Sequence, residues 1–198
     1  MDSYSISAKE IKAFTKFLGK GNTRDFSKHV MLVPSASGNA MLFVTDGHAA
    51  ITRELVGDDW RLEWENEPAR AYHVDTIKRM RNQDTIIIER GVGLSVIELN
   101  AFDQTHDGAR PLPINDNCKV PEILTLLPKE HTHKHSAAFI GLAPNLVARV
   151  CNALEGCVEM PSKKDWGGRW IFPEDNRTPV YIEFADSVLA IIMPCLIS

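Results

Sequence analysis

The chain has 198 residues, 44% of them hydrophobic and 24% charged, with a formal net charge of −4. That composition builds a globular protein with a substantial core, and it excludes both wholesale disorder and a surface that coats nucleic acid through net charge. The start has no basic segment leading into an apolar run, and no run nears the ~20 apolar residues that span a bilayer. Neither a signal peptide nor a membrane partner is expected, and the expected location is cytoplasmic. The four cysteines, Cys118, Cys151, Cys157 and Cys195, form no Cys-x-x-Cys pair. Reduced thiols are expected rather than a disulfide scaffold or a zinc cluster.

Ser7 followed three residues later by Glu10 predicts a capping box, and with it a helix from Ser7 to about Lys20. Ile11, Phe14 and Leu18 supply its apolar stripe, while Lys9, Lys12, Lys16 and Lys20 fall within an arc of about 80° on the other side. Three short strands follow at His29 to Pro34, Ala40 to Val44 and Ala49 to Leu55, the last after the turn Thr45-Asp46-Gly47-His48. Residues 56 to 70 read as a connection. The pattern then recurs with a short basic helix, Val74 to Asn82, and strands Thr85 to Glu89 and Leu94 to Leu99 around Gly91-Val92-Gly93. A loop with Pro111, Pro113 and Pro121 leads into Ile123 to Pro128.

A third cycle opens with Ala137 to Leu142 and a helix from Pro144 to Glu155, with proline at its first position and Gly156 just beyond its end. Strands are expected at Arg169 to Phe172, Pro179 to Phe184 and Val188 to Met193. Three cycles of about 65 residues suggest an internal structural repeat.

Three stretches resemble the bacterial DNA polymerase III beta subunit, the sliding clamp. Thr45-Asp46-Gly47-His48, after the apolar run Met41 to Val44, is similar to the Thr-Asp-Gly-His-Arg-Leu of that family, with Ala49-Ala50 standing for Arg-Leu. Lys119 to Pro128 resembles the segment that closes the same domain, and Ala190 to Leu196 resembles the end of clamp chains. Pro144 to Leu154 is similar to the helix of the last clamp half-domain. Trp166 to Trp170 has no counterpart in the pattern.

The resemblance implies an α+β fold of repeated sliding-clamp-like half-domains, with helices packed on antiparallel sheets. Residues 1–128 would form a domain of two half-domains, 129–136 a linker and 137–198 a third half-domain. It implies a non-enzymatic protein of replication or repair that needs no cofactor and no metal, and that self-associates. A hydrophobic pocket for polymerase or clamp-loader peptides would comprise Thr45, Gly47, His48, Pro121, Leu126, Ile191, Met193, Pro194 and Cys195. Double-stranded DNA would be met without base reading by Lys9, Lys12, Lys16, Lys20, Lys78, Arg79, Arg81 and Arg149.

Plainer readings stand beside these. Ile191 to Met193 also reads as a core strand, and the lysine stripe as a solvated helix face. His131, His133 and His135 alternate and would share one face of a strand, so a metal-dependent hydrolase is the rival function. No carboxylate or thiol completes that ligand set, and a polar linker explains it too. Asp46 with His48 could form an acid–base pair, but no nucleophile motif accompanies them. A clamp-like adaptor with no role on DNA is the remaining alternative.

Overall fold

In the computed structural model the described residues are 3–18, 24–35, 37–55, 67–98, 108–121, 142–157, 168–173, 177–184 and 188–194. The chain runs β1 (Ser3–Ser7), α1 (Ala8–Phe17), a 3-10 turn (Asp25–Lys28), β2 (His29–Pro34), β3 (Ala40–Thr45) and β4 (Ala49–Leu55). It continues through β5 (Arg70–His73), α2 (Val74–Arg79), β6 (Thr85–Glu89), β7 (Gly93–Ile97) and β8 (Arg110–Pro111). The last described elements are α3 (Pro144–Cys157), β9 (Arg169–Ile171), β10 (Val180–Phe184) and β11 (Val188–Ile192).

The start of α1 is set locally. Glu10 N donates to Ser7 Oγ and Ser7 N donates to Glu10 Oε2, both at 3.2 Å, which closes the predicted capping box. The second oxygen, Glu10 Oε1, accepts from Arg53 of β4 at 2.8 Å, so one carboxylate both caps the helix and ties it to the sheet beneath. Ile11 and Phe14 are fully buried, as the apolar stripe requires.

All strand pairs are antiparallel and build two sheets, β1-β6-β7-β8 and β5-β2-β3-β4-β11-β10-β9. The larger sheet joins distant parts of the chain, because β11 pairs with β4 in the register Ile192↔Ala49 and Ile191↔Ala50. α1 touches both α2 and α3, and the helices lie over β3, β4 and β11. A single large core holds apolar side chains from α1, α2, α3 and both sheets. The sheets are also bonded directly: Leu94 N of β7 donates to the hydroxyl of Tyr72 of β5 at 2.9 Å.

Strand alternation sends the other half of the side chains to the sheet face away from the helices. There Met31, Val33, Met41, Phe43, Ala50, Ala71 and Ile191 form a smaller apolar cluster. Phe26 of the 3-10 turn, Cys118, Tyr181, Leu189 and Met193 pack against it.

Several boundaries differ from the sequence reading. β1 precedes α1, and β5 occupies the end of the expected 56–70 connection and the residues after it. The two-residue strand β8 was also unforeseen. α2 stops at Arg79, where Met80 N bonds to Ile77 O at 3.2 Å, and the Asp84 carboxylate accepts from Arg81 N at 2.7 Å. Gly156 lies inside α3 rather than beyond it. The linker 129–136, the run Ile123 to Pro128 and most of Ala137 to Leu142 lie outside the described residues.

Candidate functional site

The Thr45-Asp46-Gly47-His48 turn links β3 to β4 and is held by its own side chains. Thr45 Oγ1 donates to Ala49 O at 2.7 Å and accepts from Gly47 N at 3.0 Å. Asp46 Oδ1 accepts from His48 N at 2.9 Å and from Ala49 N at 3.0 Å. Gly47 has φ +89°, a left-handed backbone that disfavours any side chain, and a Cβ there would run into the Arg24 guanidinium. The backbone angle is what favours glycine here, and the neighbour that fills the space beside it is the Arg24 side chain of this chain.

β11 delivers the next piece. Met193 N donates to His48 O at 2.8 Å, extending the β4–β11 ladder by one bond past Ile192. The turn and the Met193-Pro194 segment are therefore neighbours, although about 145 residues separate them in sequence. His48 is exposed, Gly47, Met193 and Pro194 are half-buried, and Thr45 and Ile191 are fully buried. Thr45 spends its hydroxyl inside the turn, donating to Ala49 O and accepting from Gly47 N. Ala50, standing where the clamp pattern has a larger residue, pairs with Ile191 and leaves little side-chain bulk there.

Of the third expected segment only Lys119 to Pro121 is described, and the residues just before it run beside β5. Asn115 N bonds to Ala71 O at 2.8 Å, and Cys118 packs on the same apolar cluster as Met193. Pro121 is half-buried a few residues later. Leu126 and Cys195 lie outside the described residues, as do Lys20 and the histidines His131, His133 and His135. Arg24, Phe26 and Tyr181 are neighbours of this region that the sequence reading missed. Each comes from an element with no clamp-like motif, so only the sheet order reveals them.

The expected basic residues divide into two groups. Lys9, Lys16, Lys78, Arg79 and Arg81 are exposed on α1, on α2 and just after it. Lys12 and Arg149 are instead used inside the fold. Lys12 Nζ donates to Met80 O and, at 3.1 Å, to Asn82 Oδ1, which ties α1 to the end of α2. Arg149 Nη2 lies 2.5 Å from Asp46 Oδ2, and its guanidinium sits 5.5 Å from the Phe17 ring centroid. It joins α3 to the turn and to α1. Arg81, though exposed, also pairs with Asp84 at 3.1 Å. The Asp46 carboxylate accepts from two turn amides and pairs with Arg149.

Among the described residues, Cys118, Cys151 and Cys157 carry free thiols, and no helix is long and apolar enough to cross a membrane. Burial, and secondarily the Asp25 carboxylate, push the Cys118 thiol up to about 11.

A candidate DNA polymerase III beta subunit of Eubacterium rectale superposes on this arrangement with a TM-score of 0.60, covering 99% of this chain and 65% of its own. The fold is that of a DNA sliding clamp. The identity over that match is 8%. The clamp fold recurs in a sliding clamp of Pseudomonas aeruginosa bound to griselimycin, with TM-score 0.55 and 11% identity over 98% of this chain and 65% of that one. A Thermotoga maritima beta subunit matches with TM-score 0.53 and 10% identity, over 99% and 65%. The chain thus spans 65% of the length of these three clamps. No protein-family model and no curated protein matches it. What is shared with the clamps is the path of the backbone.

Proposed function

We propose that the protein is a non-enzymatic, sliding-clamp-like component of DNA replication or repair that docks short apolar peptide segments of polymerase or clamp-loader type. The observation that supports this reading is the 2.8 Å bond from Met193 N to His48 O, which sets two clamp-like segments side by side on a clamp-like backbone. Gly47, His48, Pro121, Met193 and Pro194 would form the accessible rim of the docking notch and Thr45 and Ile191 its base; Leu126 and Cys195, assigned to it by the resemblance, lie outside the described residues. Burial of one aliphatic or aromatic anchor there gains about 1.5–3 kcal/mol. Met193 adapts to anchors of different shape. Such a site suits exchangeable binding. The chain would comprise three half-domains, two in residues 1–128 and one in 137–198, and would self-associate.

Titration of a labelled clamp-binding peptide tests the notch. Saturable binding is expected, and Met193→Ala should weaken it by roughly tenfold, since losing one buried anchor contact costs about 1–2 kcal/mol. No saturable binding by the unchanged protein removes the proposal.

The proposed contact with double-stranded DNA rests on the exposed Lys9, Lys16, Lys78 and Arg79. The internal pairing of Lys12 and Arg149 favours the second reading, an adaptor without a role on DNA. Alanine at those four exposed positions decides between them. A DNA-contacting face loses affinity and shows a shallower salt dependence, by about 0.9 in log–log slope per phosphate contact removed. An adaptor shows no change.

A further inference from the structure

Three side chains of different chemistry converge on the sheet face away from the helices. The Cys118 thiol, a carboxylate oxygen of Asp25 and an imidazole nitrogen of His29 all lie within 4.8 Å of one another. They come from three places in the chain: the 3-10 turn, the first residue of β2, and the segment that follows β8. None of the three is among the proposed peptide contacts, although Cys118 packs on the same apolar cluster as Met193.

The imidazole is already oriented. His29 is 1% exposed, and its Nδ1 lies 2.9 Å from the Asp25 carbonyl oxygen. A carbonyl only accepts, so Nδ1 carries the hydrogen and Nε2 keeps a bare lone pair. That lone pair faces Asn115 Nδ2 at 2.9 Å. The amide orientation follows from its other end, because Asn115 Oδ1 accepts from Asn117 N at 3.1 Å. An imidazole with one N–H tied to a backbone carbonyl and the other nitrogen unprotonated is oriented as metal-ligating histidines are, with the Asn115 amide occupying that nitrogen until a cation displaces it.

We propose that His29 through Nε2, Cys118 and Asp25 bind a divalent cation of the zinc type, which takes the place of the hydrogen bond from Asn115. One thiolate, one imidazole and one carboxylate suit a borderline-soft ion and leave a fourth position open. Calcium and magnesium call for oxygen ligands throughout. At metal–ligand bonds of about 2.0–2.3 Å the donor atoms of a tetrahedral site stand roughly 3.5 Å apart, so the cluster has to close by about 1 Å. Asp25 is exposed and Cys118 half-buried, which lets their side chains swing while the buried imidazole stays fixed. On coordination the cation replaces the Cys118 thiol proton, which passes to solvent. The ion then clips the segment carrying Cys118 onto the 3-10 turn and β2, a cross-link that side-chain packing and the Asn115 amide provide without it.

Cobalt(II) titration of the full chain reads this directly. The expected result is a thiolate-to-cobalt charge-transfer band that saturates at one equivalent and is displaced by zinc. Cys118→Ser should abolish that band, and Asp25→Asn should weaken binding by about tenfold or more. Far-ultraviolet circular dichroism checks that both variants fold. A second measurement needs no variant: zinc should slow alkylation of Cys118 by at least about tenfold while leaving Cys151, also half-buried, unaffected. A charge-transfer band absent from the unchanged protein, a band that survives Cys118→Ser, or zinc that fails to protect Cys118 would each overturn the site. These readouts are independent of peptide binding, so the notch and the cation site stand or fall separately.

Discussion

Asp46 shows how much one side chain carries. It is 3% exposed, accepts from two turn amides and pairs with Arg149. Replacing it with alanine strips three bonds and leaves a half-buried guanidinium without its carboxylate. Asp46→Ala should cost about 2–4 kcal/mol in urea unfolding, since bonds to charged groups and broken partly buried pairs are the expensive kind. A loss below about 0.5 kcal/mol, the range of ordinary surface substitutions, would show that the turn is held by other means. The acidic residue in the turn was plain in the sequence. Its partner was not, because Arg149 lies 103 positions away on a helix whose solvent face looked the natural place for it.

At the scale of elements, α1 was legible because its signals are local: a capping pair at fixed spacing and an apolar stripe. The end of α3 was not. Gly156 looked like a stop signal, yet it is where α3 presses on α1, and a Cβ there would stand 2.7 Å from that of Ala13. Helix propensity alone makes glycine cost up to about 1 kcal/mol and predicts a gain on replacing it. Close helix packing predicts the opposite. Gly156→Val should lower stability by about 1–3 kcal/mol, the cost of overpacking. A more stable variant in denaturant titration would mean that the two helices yield. β1 escaped notice for a related reason. Its Ser3, Ser5 and Ser7 carry no strand preference, and pairing with β6 holds it.

For the whole molecule, the decisive fact is that β11 pairs with β4 and so puts the last described strands into the sheet of the first ones. The same order leaves β9 on the edge of the larger sheet among the described residues. Beside it, Trp170 and Phe172 stack with ring centroids 6.2 Å apart, and Phe172 is 40% exposed. On the self-association proposed above, this short strand edge with aromatic rings beside it is where another copy would pair. Light scattering on a size-exclusion column, at roughly tens of micromolar protein, should then report a dimer or larger species. A monomer throughout that range would remove the self-association proposed above.

The sequence by itself determined the elements whose causes are local. Nine of its expected spans, from β2 to the three strands at the end, reappear within a residue or two, and the capping box of α1 stands where it was expected. It also marked the turn and the Met193-Pro194 segment as clamp-like. The tertiary structure alone decided which of those residues meet and which are already spent. Strand pairing across long separations brings His48 to Met193, and turns Lys12 and Arg149 inward to serve the fold. The physical reason is that periodicity and capping act over a few residues. The partner of a buried charge or a free strand edge is set by whichever distant segment packs beside it.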